Sequence, residues 1–374
     1  MIKVGIVGAR GLSGMMGFRD LEGVEVTALC DINQELLDRE SAKWNIPHTY
    51  RVFEDMLMSD IDAVVIATPM QLHVPQAILA LRAGKHVMSE VTAGVSIEEL
   101  YWLVEEVERS GKVYMMAENY IYTPECQQVI AMAKAGLFGE TYYGEGEYLH
   151  NVVSLIQYPD GSPSWRSWWQ LGQRGLFYPT HSLGPVMKWM EGERIDYISA
   201  MGSGWHTHPE LRQEDTSVAL LQTKSGKMIR LRVDCISNRP HQMMNYTLQG
   251  TKGVYEAPRI VGGEHMVSFY TGEDPEKMTW QPLSDYKEYL PERYRKAADG
   301  QLAAGHGGGD YFIVEDFVEA IRGNKAPAVD VYEACEWTAV GLLSAISVAN
   351  RGKTKTMPDF RAKGYKNQKL ILED

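Results

Sequence analysis

Cysteine is scarce in this chain: four residues in 374 (Cys30, Cys126, Cys235 and Cys335), far apart and with no CxxC pair. That spacing argues against a disulfide framework or a thiolate zinc site and fits a reducing compartment. Positive charge is also short, with 37 Lys and Arg against 49 Asp and Glu, a net charge of −12. Nucleic acid and anionic membrane both call for clustered positive charge, so neither is an expected partner. No run approaches the ~20 apolar residues of a membrane helix. The opening "MIKVGIVG" lacks the basic and apolar regions of a secretory signal. HExxH, G-x-S-x-G and Walker-lysine motifs are missing too. His206 and His208 of "WHTHPE" stand two apart with no third ligand in view, so no metal site is expected. These absences leave a cytoplasmic protein acting on a small molecule.

What is present is an ordinary globular composition, 44% hydrophobic and 23% charged, long enough for two domains. Over the first 120 or so residues, β-branched runs ("KVGIVG", "EVTALCD", "DAVVIATP", "HVMSE", "VYMMAEN") alternate with helical spacing at Gln34–Trp44, His73–Ala83 and Ser96–Ser110. Such alternation predicts an α/β domain, a parallel sheet covered on both faces, over residues 1–122. From Pro124 the rhythm changes. A helix near 124–136 precedes "GETYYGEGEYLH", which alternates like a strand with one exposed face. Hairpin turns "TKSGK" and "GTKG", two long helices near 307–322 and 331–350, and a polar tail follow. Residues 123–374 are therefore expected to form a substrate-binding α+β domain with a mostly antiparallel open sheet. An open face of that kind commonly needs covering, so a homodimer or homotetramer is expected.

"GIVGARGLSGMMG" follows the first strand and opens the first helix, the setting of a dinucleotide-binding turn. Its spacing departs from G-x-G-x-x-G: aligned on Gly8, the middle position is Arg10 and the last Ser13, while Gly8, Gly11 and Gly14 give G-x-x-G-x-x-G. A helix N-terminus there offers free N–H groups to a pyrophosphate. Asp31 closes the second strand about 20 residues on, where a carboxylate accepts from an adenosine ribose and repels a 2′-phosphate, so NAD is expected over NADP. Arg10 pulls the other way, since a guanidinium can pair with a phosphate.

"ATPMQLHVPQAILALRAGKHVMSE" (67–90) resembles the glucose–fructose oxidoreductase and inositol dehydrogenase (Gfo/Idh/MocA) superfamily. That resemblance implies a nicotinamide cofactor in the first domain and a sugar or polyol against the second sheet. The usual Lys-Pro after the glutamate is missing, because Val91 and Thr92 follow Glu90. The usual D-x-x-x-H is missing as well, since Phe177 stands four before His181. "ENYIY", "GLFGETYYGEGEYLH", "YPTHSLGP", "GHGGGDY" and "DVYEACEWTAVGLLSAISVANRG" resemble one branch, the NAD-dependent α-N-acetylgalactosaminidase-like glycosidases. This implies transient oxidation at sugar C3, loss of the C2 proton, elimination at C1 and return of the hydride. A net sugar dehydrogenase and a non-catalytic cofactor-binding protein are the alternatives.

The expected catalytic residues are His181, Tyr178, His150, Glu90 and Tyr120. Imidazole titrates near neutrality and Pro179 and Gly184 hold His181 at a helix start; its other reading is a core histidine. Cofactor contacts are expected from Gly8, Arg10, Gly11, Leu12, Ser13, Asp31, Thr68, Pro69, His73, Glu90 and Asn119. His73 also reads as a residue that shapes the loop. Substrate contacts are expected from Tyr122, Arg166, Trp168, Trp169, His306 and Asp310, indoles stacking on sugar faces and arginine reading polar groups. Interface packing for the indoles and an N-cap for Asp310 stay open beside these roles.

Overall fold

The computed structural model describes residues 1–272, 274–303, 305–306 and 308–362. Positions 304 and 307 of the "AAGHGGGDYF" loop, and the polar tail from 363, lie outside the described residues.

The chain forms two compact units. The first comprises Met1–Tyr122, Ala297–Cys335 and a short segment from Phe360; the second comprises Thr123–Lys296 and Glu336–Asp359.

The first unit is built on six parallel strands: β1 (Ile2–Val7), β2 (Val24–Cys30), β3 (His48–Tyr50), β4 (Ala63–Ile66), β5 (His86–Ser89) and β6 (Tyr114–Met116). Their order is β3-β2-β1-β4-β5-β6. The order reverses between β1 and β4, the switch point at whose carboxyl ends doubly wound sheets bind ligands. Helices α1 (Met15–Asp20), α2 (Gln34–Trp44), α3 (Phe53–Leu57), α4 (His73–Arg82) and α5 (Ile97–Ser110) connect the strands. Local chemistry fixes their ends. Ser96 and Glu99 close a capping box on α5, Asn33 caps α2, and Asn45 and Gly111 end the two helices in left-handed conformation. β4 is buried along its whole length, as expected of a strand covered on both faces. β3 has no counterpart in the sequence reading: its three residues are too short and polar to show a period.

The second unit contains α6 (Pro124–Lys134), β7 (Thr141–Leu149), α7 (Thr180–Trp189) and strands β8 (Ile195–Gly202), β9 (Ser217–Thr223), β10 (Met228–Asp234), β11 (Gln242–Gly250), β12 (Gly253–Glu256), β13 (Met266–Phe269), β14 (Gln281–Pro282) and β15 (Lys355–Thr356). They make one nine-stranded sheet, β14-β13-β12-β11-β7-β10-β9-β8-β15, antiparallel except where β7 pairs β10. β7 is thus a central strand, with Tyr142 exposed, Tyr143 and Glu145 half-buried, and Gly144, Gly146 and Tyr148 buried. Its Gly144 and Gly146 are buried under α7: a methyl on Gly144 would come within 2.5 Å of Val186 Cγ1. One on Gly146 would overlap the Ser182 carbonyl oxygen. These two glycines are seats for a helix.

After the short α8 (Glu292–Arg295) and α9 (Asp299–Leu302), α10 (Gly309–Ile321) packs in the first unit, and α11 (Val331–Ala349) follows. Gly14 and Gly17, before and within α1, let that segment approach α10, since methyls there would meet Val314 at 2.8 and 3.0 Å. Among the described residues no helix is long and apolar enough to cross a membrane.

Candidate cofactor and active sites

The first unit makes its candidate site largely from backbone. β1 runs into Gly8 at φ 88°, a left-handed turn where a methyl would overlap the Ala67 carbonyl oxygen. Its N–H donates to Cys30 O at 2.9 Å, tying the turn to the end of β2. At Gly11 a methyl would lie 2.7 Å from Ile6 Cγ2. Gly11 and Gly14 are therefore required by packing on the sheet and on α10. Residues Ala9–Gly14 form a 3₁₀ turn before α1, with Leu12 half-buried and Ser13 exposed.

Arg10 leaves this turn and reaches two carboxylates. Its Nη2 is 3.4 Å from Asp310 Oδ2 and 3.8 Å from Glu90 Oε1. Burial alone would raise the Asp310 carboxyl, but the His306 hydrogen bond and the Arg10 charge outweigh it and hold its pKa at about 2. Asp310 is not the helix cap; Gly308 occupies that position without a side-chain cap bond. His306 Nδ1 lies between Asn119 Nδ2 (3.0 Å) and Asp310 Oδ1 (3.1 Å), so its protonation decides which contact is a hydrogen bond. Gly11, Ser13, Glu90, Asn119 and Asp310 line one cleft. Asn119 is buried there, and its Oδ1 has no hydrogen-bond partner among the described residues. An orphaned amide oxygen facing a cleft suits a ligand that brings its own N–H donors, as the carboxamide of nicotinamide does. Asp31 caps the end of β2, half-buried, accepting from Asn33 N at 2.9 Å with a second oxygen left for a ribose. The residues present fit a dinucleotide.

Other expected contacts are committed elsewhere. Both ring nitrogens of His73 meet backbone carbonyls, Nδ1 at 2.7 Å from Thr92 O and Nε2 at 2.9 Å from Thr68 O. Burial lowers its pKa against the pull of those two carbonyls, and the ring, engaged at both nitrogens, organises the Thr68–Pro69 loop with none to spare for a cofactor. Thr68 Oγ1 donates to Gln76 at 2.6 Å, and Pro69 opens a short 3₁₀ turn. Tyr122 is not a cleft residue: it is buried, and its hydroxyl donates to Asp316 Oδ2 at 3.0 Å. Tyr120 is buried with its ring 5.8 Å from that of His306, and burial beside Glu118 pushes its phenol pKa upward.

The second unit makes its candidate site from rings. His181 follows Pro179 and Thr180 in the first turn of α7 and is 5% exposed, its carbonyl accepting from Tyr246 OH at 2.6 Å. Around it stand Tyr148 (ring centroids 4.9 Å) and Tyr178 (5.0 Å). The Tyr148 hydroxyl is 2.6 Å from His150 Nδ1, and the His150 ring lies 4.6 Å from that of His241. The candidates His181, Tyr178 and His150 thus lie in one cluster with Tyr148 and His241. Tyr148 and His241 were missed. Tyr148 had a signal, since it sits two residues before His150 on the same strand face. His241 stands in the loop before β11 and had none.

Arg166 stacks over Trp165 at 4.3 Å and donates to Gln170 Oε1 at 2.5 Å. Trp168 is exposed and Trp169 half-buried. Among the described residues no group of three or more His, Cys, Asp or Glu could hold a metal ion.

With this geometry in hand, comparison with known proteins gives consistent matches. The family model "Oxidoreductase family, NAD-binding Rossmann fold" matches residues 2–118, and "Glycosyl hydrolase 109, C-terminal domain" matches residues 122–367. The chain is 34% identical over 408 residues to a glycosyl hydrolase family 109 protein of Shewanella putrefaciens, covering 99% of the chain and 87% of the relative. It is 32% identical over 408 residues to an alpha-N-acetylgalactosaminidase of Shewanella oneidensis, covering 99% and 87%. Among solved structures, levoglucosan dehydrogenase in complex with NADH and levoglucosan superposes with a TM-score of 0.78 at 19% identity, covering 96% of this chain and 99% of that one. A putative myo-inositol dehydrogenase from Sinorhizobium meliloti 1021 gives 0.72 at 18%, covering 96% and 100%.

Proposed function

This chain belongs to the glycosyl hydrolase 109 family, carried on an NAD-binding oxidoreductase fold, and from that premise we propose that it cleaves a glycoside by a redox-neutral route. The observation that carries the reading is the ring cluster of His181, Tyr178, Tyr148 and His150. Its imidazoles and phenols suit repeated proton transfer. NAD, when bound, supplies a reversible hydride acceptor for a sugar carbon. The dinucleotide would be held by the Gly8–Ser13 turn, Asp31, Glu90 and Asn119.

The chain's own residues carry the protons. Oxidation at C3 sets free the proton of the C3 hydroxyl, which His181, partnered by Tyr178, takes up. The C3 ketone then acidifies the C2–H bond, so a weak base removes that proton. Electrons from the C2–H bond form a C1–C2 double bond as the C1–O bond breaks, and the departing oxygen needs a proton. We assign the C2 proton and the leaving-group proton to the Tyr148–His150 pair, whose short contact lets a proton pass between phenol and imidazole. Water then adds at C1 and C2 is reprotonated, and His181 would give its proton back to the C3 oxygen as the carbonyl is reduced, chemistry that a bound dinucleotide would supply. Each acid/base group supplies roughly 10²–10⁴-fold when its pKa suits the working pH. Asp31 favours NAD over NADP through the ribose hydroxyl it accepts from and the 2′-phosphate it repels.

The name of one relative makes an aryl α-N-acetylgalactosaminide the first substrate to try. The test follows aryl release and NADH absorbance together over a panel of aryl glycosides and free sugars. Release without net NADH, with deuterium entering C2 in deuterated water, is the expected result. Stoichiometric NADH would replace the proposal with a net dehydrogenase, and release with no C2 exchange would overturn the elimination step.

A further inference from the structure

A second cleft lies in the second unit, lined by Ser167, Trp168, Trp169, Gly172, Gln173, Glu210, Leu211 and Arg212, and encloses about 1080 Å³ including its open mouth. None of the ring-cluster residues lines it. Both of its walls are fixed. On one side the indole-bearing turn is pinned at its start: Ser164 and Ser167 donate through Oγ to the Leu155 and Ile156 carbonyls at 2.5 and 2.7 Å. Gln173 Nε2 then donates to Trp168 O at 3.0 Å, and Gly172 is required because a methyl there would overlap the same carbonyl.

On the other side, the 210–212 segment is held by its neighbours. Trp205 Nε1 donates to Arg212 O at 3.1 Å, and Gln213 N donates to Leu171 O at 3.0 Å. Buried Glu214 accepts from Arg174 Nε at 2.7 Å and from Gly175 N at 3.0 Å, joining one wall to the other. Into this rigid cleft the fold leaves Trp168 56% exposed. A large indole held open to water on a fixed frame, with planar amide, carboxylate and guanidinium groups beside it, matches the two needs of a sugar ring. Its apolar face stacks on an aromatic surface and its rim hydroxyls take hydrogen bonds.

We propose that the Trp168–Trp169 cleft is a carbohydrate-binding site separate from the ring cluster, taking the sugar next to the one cleaved. This rests on the reading of the chain as carbohydrate-active, but its test does not depend on turnover. The chain makes a continuous loop between the two places: it leaves β7 at His150, builds the cleft wall over 167–173, and returns at Tyr178. The two places thus belong to one continuous segment of the chain.

The experiment titrates the full-length protein with a panel of N-acetylated and plain disaccharides and the matching monosaccharides, read by ligand-observed NMR and tryptophan fluorescence. The wild type should bind a disaccharide more tightly than its monosaccharides. Trp168→Ala should weaken that binding about tenfold, equivalent to 1.4 kcal/mol, and Trp168→Phe should recover part of it. Trp280→Ala, removing an exposed indole elsewhere in the unit (51% exposed), is the control. Equal affinity in wild type and Trp168→Ala, or no preference for two rings over one, overturns the proposal. A disaccharide that binds through Trp168 and is oxidised with stoichiometric NADH, without cleavage, leaves a carbohydrate site there and removes the hydrolase reading, and with it the placing beside a cleaved sugar.

Discussion

The glycine-rich turn after β1 and the ring cluster around α7 are built on opposite principles. The first is backbone: Gly8 at φ 88°, Gly11 against Ile6, Gly14 against Val314, with Asp31 at the next strand end. Its parts lie within some thirty residues and follow chain order. The second is side chains from three separate places: Tyr148 and His150 at the end of β7, Tyr178 and His181 at the start of α7, and His241 before β11. Only the pairing of β7 with β10 and β11, and the seating of α7 on Gly144 and Gly146, brings them together. A site made of backbone can be read from spacing. One made of rings has to be folded before it is visible.

This contrast can be broken experimentally, beginning with the largest effect. Replacing His181 with Ala should lower kcat/KM for an aryl glycoside by roughly 10²–10⁴-fold while the protein keeps its nucleotide, counted by releasing it on denaturation. Loss of nucleotide in that variant would mean that the two sites are not separable in this way. The converse is Gly8→Ala, whose methyl overlaps the Ala67 carbonyl oxygen at a positive φ. It should abolish nucleotide retention, and the ring cluster should survive as judged by unchanged near-ultraviolet circular dichroism. Gly146→Ala pushes α7 off β7 and should cost activity and about 1–3 kcal/mol of stability as an overpacked core does, with nucleotide still bound. Asp31→Ser should narrow the preference for NAD over NADP by about tenfold, one good hydrogen bond or charge contact, measured as the ratio of the two dissociation constants.

The smallest effect is on acid stability. Asp310 has its pKa held at about 2 by His306 and Arg10, below the usual carboxylate range. A depressed folded-state pKa contributes stability that is present above the unfolded value near 3.9 and is lost as pH falls toward 2. Asp310→Asn should flatten the melting temperature over that window and leave it sloping as before at higher pH.

Helix α4 was legible from its apolar period, and α2 and α5 have caps that agree with theirs: Asn33 and Asn45 bound α2, Ser96 and Gly111 bound α5. The parallel sheet was legible from buried runs such as Ala63–Ile66. The alternation of Tyr-Tyr-Gly-Glu-Gly-Glu made β7 legible as a strand, but a glycine gives no sign of what lies against it. Tyr122 was placed in a cleft because it lies just beyond a strand of the first domain, yet its phenol donates to Asp316, nearly 200 positions along. His73 was read both as a cofactor contact and as a residue that shapes its loop, and the Thr68 and Thr92 carbonyls, the second 19 residues away, hold it in the second part.

The packing of α10 against Gly14 and Gly17 has a consequence for biosynthesis. A ribosome delivers the first 122 residues long before it delivers 309–321, so the nascent nucleotide-binding unit must wait for a missing wall. At ~5–20 residues per second that wait is roughly ten to forty seconds, during which the α1 glycines face water or a chaperone.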